Sequence, residues 1–186
     1  MPQHQRGLQH KCYNTRVALG KCEEERIIKL LVAKGFKVEA SSRDEDMFDK
    51  VDAWLIKGDA RIGLQIKRRF TNADIPIEAL HFFYYSGEAK KLFVDMPLDG
   101  RDMKGKASLY VCLTKDNTLW MCSKQELCKI AEASVRKLLG LHLRSPSIKK
   151  VEVGCATAQI VEDPSTKRHK VIVWIKPQGL VSSKVL

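Results

Sequence analysis

Apolar positions fall first at helical and then at strand spacing along the opening third of the chain. From Asn14 to Lys34, Val17, Ile27, Ile28, Leu30, Leu31 and Val32 are interleaved with charge, which predicts a helix stopped at Gly35. Phe36–Glu39 reads as a short strand, and residues 41–49 (SSRDEDMFD) as a polar loop. Val51–Ile56 is rich in strand formers, Lys57-Gly58-Asp59 is a turn, and Arg61–Arg69 alternates, so the three together predict a β-hairpin.

Residues 74–94 fit a short helix followed by either a strand or a second helix. Ala107–Leu113 and Thr118–Met121 read as strands around Lys115, Asp116 and Asn117. Ser123 with Glu126 has the form of a capping box, and Leu127, Ile130, Ala131, Val135, Leu138 and Leu139 predict a helix running to Gly140. After the break at Arg144–Ser147, Val151–Val161 and Lys170–Ile175 read as two strands joined at Glu162-Asp163-Pro164-Ser165. The expected fold is α/β, a mixed central sheet flanked by helices, with residues 14–145 as the core and 146–186 as a β extension of the same domain. The first dozen residues are polar and predict a loose segment unless a partner holds them.

Side chains alternate along a strand, so Asp52, Trp54 and Ile56 share one face, and Arg61, Gly63, Gln65, Lys67 and Arg69 share one face of the next strand. If those faces coincide, a carboxylate, an amide and an ammonium group converge while the aliphatic residues turn inward. Such a trio suits phosphodiester hydrolysis. A hard cation such as Mg2+ takes oxygen ligands, here Asp52, the Gln65 amide oxygen and the Ile66 carbonyl. Lys67 would orient the attacking water and offset charge developing on phosphorus. Glu24 is the candidate second carboxylate, because it lies on the side of the first helix that carries Ile27 and Leu31; a register shift of one would bring Glu25 instead.

The pattern Asp52, twelve residues, then Gln65-Ile66-Lys67, preceded by a Glu-bearing helix and Gly35-Phe36-Lys37-Val38, resembles the PD-(D/E)xK nuclease superfamily. The likeness is to the variant in which Gln replaces the acidic residue, as in Mrr-type restriction endonucleases, to which archaeal Holliday junction resolvases are related. It covers residues 14–70 well and extends more loosely over 71–123. The resemblance implies a restriction-endonuclease-like core with a four-stranded mixed sheet, cleavage of DNA with Mg2+ (or Mn2+), and a homodimer or higher homo-oligomer. It also implies Asp52 as the metal-binding Asp, Gln65 as the second ligand, Lys67 as the catalytic Lys and Glu24 as the acid of the first helix. Two departures stand out: Val51 replaces the usual Pro before the Asp, and Gln65 replaces an acid. They keep open a non-catalytic nucleic-acid-binding module on the same fold; an RNA-processing nuclease, which differs only in substrate, is a further alternative. The ordinary reading makes Asp52 a strand-edge residue, Glu24 a surface helix residue and Lys67-Arg68-Arg69 a solvated basic patch.

Charge strengthens the nucleic-acid reading. Among 186 residues, 33 Lys and Arg against 22 Asp and Glu give +11, which favours a polyanion without separating DNA from RNA. Lys57, Arg61, Lys67, Arg68 and Arg69 surround the proposed site, and Lys104 and Lys106 flank glycines in a loop expected to be flexible. Lys149-Lys150 and Lys167–Lys170 add further patches. Clustering of this kind suits contact with phosphates rather than reading of bases. Phe82, Phe83, Tyr84 and Tyr85 fit a core or dimer contact better than base stacking, and His81, His142 and His169 have no catalytic partner in view. The six cysteines include no Cys-x-x-Cys pair, so neither a zinc site nor a disulfide framework is expected. With no signal-like start and no run of about 18 apolar residues, the chain reads as soluble and intracellular, cytoplasmic if prokaryotic, with no membrane partner.

Overall fold

The computed structural model describes residues 18, 20–68, 74–82, 98, 100–114, 117–163 and 168–186. Helix α1 (residues 20–33) leads into β1 (Lys37–Ala40), a π-helical turn (Glu45–Asp49), β2 (Ala53–Lys57), β3 (Ala60–Arg68) and β4 (Ile75–Phe82). A single helical turn, α2 (Arg101–Lys104), precedes β5 (Leu109–Leu113), β6 (Leu119–Ser123) and α3 (Lys124–Arg144). The chain ends in β7 (Lys150–Val153), β8 (Ala156–Asp163), β9 (Arg168–Ile175), a 3-10 turn at Pro177–Gly179 and β10 (Lys184–Val185). The fold is α/β, as the pattern predicts.

Two sheets form. The first has the order β1-β2-β3-β5-β6-β10 and is mixed, with β3 and β5 parallel and its other pairs antiparallel. The second, β4-β9-β8-β7, is antiparallel. Residues 146–186 therefore supply three strands of the second sheet and the last strand of the first, while β4 crosses from the chain's first half to pair with β9. Ile75–Phe82, where the pattern fits a short helix, instead forms a strand, because its apolar residues pair with β9; 83–97 lie outside the described residues, and with them Phe83, Tyr84 and Tyr85.

Each face of the first sheet has its own apolar cover. Ile27 and Leu31 of α1 pack on Ala53, Leu55, Leu64, Ile66, Val111 and Leu113, all buried. The helix ends as predicted: Gly35 takes φ +87°, its N–H donates to Val32 O, and Phe36 N–H donates to Leu31 O, the pairing of a Schellman motif. The opposite face carries Tyr110, Cys112 and Cys122. These join a larger cluster in which Leu127, Ala131, Val135 and Leu138 of α3 meet Ile77, Ala158, Val171 and Val173 of the second sheet.

Four local expectations change. The loop at 41–49 contains the π-helical turn, closed by Lys50 with φ 56°. Helix α3 runs through Gly140 to Arg144. Ser123 makes no side-chain cap hydrogen bond; Glu126 instead accepts the backbone N–H groups of Val181 and Ser182, at 2.7 and 2.8 Å. Val151–Val161 is two strands, because Gly154, at φ 57°, turns the chain so that Val153 pairs with Ala156. The described cysteines are free thiols. Burial pushes the Cys122 thiol up to about 12. Among the described residues no helix is long and apolar enough to cross a membrane.

Candidate active site

The β2–β3 register pairs Ala53 with Leu64 and Trp54 with Gly63, and the Asp52 N–H donates to Leu64 O at 2.8 Å. Asp52 and Gln65 therefore share a face at the end of the hairpin away from its turn. Their side chains touch: Asp52 Oδ2 accepts Gln65 Nε2 and the Ile66 N–H, each at 2.5 Å. Gln65 is buried at 4% exposure. Each residue of a strand points its N–H and C=O to the same side, so the Ile66 carbonyl faces the Asp52 edge as well.

Lys67 shares this face but not this partner. Its Nζ lies 2.8 Å from Asp102 Oδ1, and Asp102 is 4% exposed against 20% for the lysine side chain. Asp102 Oδ2 accepts the Glu78 N–H at 2.8 Å, and the Tyr110 hydroxyl donates to Oδ1 at 3.1 Å. The β3–β5 register sets Tyr110 beside Gln65 and Cys112 beside Lys67, which continues the polar face into β5. Burial, and after it the negative charge of Asp102, holds the Tyr110 phenol well above the usual range; the charge of Asp52 adds to the effect. Asp52, Tyr110 and Asp102 thus share one electrostatic environment.

On the other side of Asp52 a cavity of about 690 Å³ opens between α1 and the segment 40–52. Glu24, Glu25 and Asp52 line it, together with Lys21, Arg43 and Lys50. Both candidate acids of the first helix therefore face the space that Asp52 borders. Among the described residues, no three His, Cys, Asp or Glu side chains gather as a metal-binding group. The oxygen donors at hand are Asp52, the Gln65 amide and the Ile66 carbonyl, with Glu24 across the cavity.

The basic residues are more dispersed than their proximity in sequence suggests. Lys57 closes the hairpin at its turn, five residues from Asp52, or about 16 Å along the strand. Arg61 sits 4.5 Å over the Trp54 ring and 3.9 Å from both Glu39 and Glu45. Hydrogen bonds from Ser42 hold the Glu45 carboxyl below the usual carboxylate range, with Arg61 and Trp54 Nε1 assisting. The stretch 104–106 is tied down: Lys104 belongs to α2, the Lys106 N–H donates to Asp49 O at 2.6 Å, and the Lys106 ammonium lies 3.0 Å from Asp49. Lys104 and Lys106 are exposed. Arg68 ends β3, and Arg69 lies outside the described residues. His142 is buried with Nδ1 2.8 Å from Ile148 O, a structural role.

Sequence reasoning missed Asp102, Tyr110 and the Glu78 backbone. Tyr110 was within reach, since alternation in β5 puts it on one face with Cys112 once the β3–β5 pairing is known. Asp102 sits in a four-residue turn too short to show periodicity. No family model matches this chain, and neither a curated protein nor a solved structure matches it.

Proposed function

We propose that the chain is a divalent-cation-dependent endonuclease acting on DNA, of the PD-(D/E)xK kind. The observation that carries this reading is the contact of Asp52 with Gln65 and the Ile66 N–H, with Lys67 next on the same strand face. It is supported by the order β1-β2-β3-β5, a four-stranded mixed arrangement within the larger sheet. The excess of 33 basic over 22 acidic residues favours a phosphate-rich substrate.

Asp52, the Ile66 carbonyl and the Gln65 oxygen, the last after a half-turn of the amide, form an oxygen donor set suited to Mg2+ or Mn2+. Glu24 would complete it from across the cavity. When bound, such a cation supplies Lewis acidity toward a phosphate oxygen and toward water. Lys67 offsets charge on the phosphate and orients the nucleophile. Cutting both strands together takes two sites, so a symmetric homodimer is the economical assembly.

Purified chain is to be incubated with duplex DNA, branched DNA and RNA in Mg2+. The reading expects DNA cleavage that Asp52→Asn abolishes. Intact substrates in both Mg2+ and Mn2+ would instead favour a second reading, a binding module without catalysis whose affinity falls steeply with salt. Two features of the sequence point that way: Val51 stands where the motif has Pro, and Gln65 where it has an acid.

A further inference from the structure

A buried carboxylate needs partners, and Asp102 has three. Two belong to the scaffold: the Glu78 N–H from the second sheet binds Oδ2, and the Tyr110 hydroxyl from the first binds Oδ1. Gly100 makes this placement possible, since a Cβ there would fall 2.1 Å from Glu78 O; its own N–H donates to Ala79 O at 3.0 Å. The carboxylate is thus fixed through both oxygens before Lys67 is counted. Lys67 is the more exposed member of the ion pair, and its Nζ also lies 5.8 Å from the centre of the Tyr110 ring.

An ion pair of this depth is a weak device for stability, because desolvating two charges offsets much of their attraction. It is a strong device for holding a flexible four-carbon side chain in one direction. We propose that Asp102 is a positioning residue that aims the Lys67 ammonium, an inference that rests on the nuclease reading above. The second sheet then has a part in the site, because β4 supplies the N–H that anchors Asp102.

The test compares steady-state and single-turnover cleavage of DNA by wild type, Asp102→Asn, Lys67→Met and the double variant, using the full chain. Asp102→Asn keeps the shape and removes the charge, and is expected to slow cleavage on the order of 100-fold with KM near the wild-type value. In the Lys67→Met background the same change is expected to have no further effect on the residual rate. An equal loss in both backgrounds, or a folded Asp102→Asn chain that cuts at the wild-type rate, overturns the inference. If Asp102→Asn does not fold, Asp102→Glu carries the test: a lowered kcat at unchanged KM supports the proposal, and a wild-type kcat overturns it. A wild-type chain that cuts nothing ends the nuclease reading itself, a result distinct from either.

Discussion

Ile66 and Asp52, fourteen residues apart, are joined by a 2.5 Å hydrogen bond from the Ile66 N–H to Asp52 Oδ2, which also takes Gln65 Nε2. Asp52 is therefore a structural acceptor as well as a candidate ligand, and its substitutions separate the two roles. Asp52→Ala leaves two donors without their acceptor, one of them on a side chain only 4% exposed, and should cost about 1–3 kcal/mol. Asp52→Asn retains an accepting oxygen and should unfold close to the wild-type temperature while losing cleavage. Thermal unfolding and cleavage assays on both variants check this; an Asp52→Asn chain that still cuts DNA sinks the assignment.

What was legible in the sequence follows from period. Alternation in β3 put Gln65 and Lys67 on one face and alternation in β2 put Asp52 with Trp54 and Ile56, but only the register, Ala53 against Leu64, brings the two faces together. Alternation alone misled where it ran through a turn, as at Gly154 between β7 and β8. The Ser123/Glu126 signature misled for another reason: it describes a local contact, whereas Glu126 is taken by backbone 55 and 56 residues away. Asp102 was illegible because its partners come from three strands, and no window of sequence holds them together.

Gly100 and Gly140 make a matched pair for testing how closely α2 must approach β4. At Gly100 a methyl group would collide with the backbone of Glu78 and Ala79, at 2.1 and 2.4 Å, so Gly100→Ala should lose about 1–3 kcal/mol as the turn shifts. At Gly140, inside α3, an added Cβ meets nothing within 4 Å, and Gly140→Ala should gain up to about 1 kcal/mol from helix propensity. Urea unfolding of both variants measures the contrast. Equal effects would mean that α2 does not sit against β4 as described.

Removing Lys67 should be more damaging than its partial exposure suggests. Lys67→Ala leaves Asp102, 4% exposed, without its compensating charge, and a loss of about 3 kcal/mol is expected. Adding Asp102→Asn should recover much of that loss, since the stranded charge is gone. A double-mutant cycle in denaturant reads the coupling, and simple additivity would show that the pair contributes no interaction energy.

Acid should loosen the C-terminal segment. The Ser182 side chain, together with the Val181 and Ser182 N–H groups, holds the Glu126 carboxyl below the usual carboxylate range. A lowered folded-state pKa means that the stabilisation is fully present above the unfolded value and is lost as pH falls through the folded one. Hydrogen exchange at Val181 and Ser182, corrected for intrinsic rates, should therefore accelerate below the ordinary Glu range, while core amides of β5 stay protected. In Glu126→Gln this acid-dependent step should disappear; its persistence would assign the loosening to another group.

Replacing Gln65 with Glu tests the cation site without relying on catalysis. The new carboxylate would lie against Asp52 in a position 4% exposed, and two adjacent carboxylates repel unless one takes a proton or a cation bridges them. In chelator, Gln65→Glu should therefore unfold below the wild-type temperature. Mg2+ should raise its Tm by more than it raises the wild type's, since a ligand bound only to the folded chain adds about 2.7 kcal/mol at a hundredfold excess over Kd. The comparison also separates a decayed site from one that never held metal. If Gln65 is a loss from an acidic ancestor, Gln65→Glu gains both the Mg2+ response and cleavage. If the variant is destabilised equally with and without Mg2+ or Mn2+, Asp52 and its neighbours do not form a cation site, and the binding-module reading takes its place.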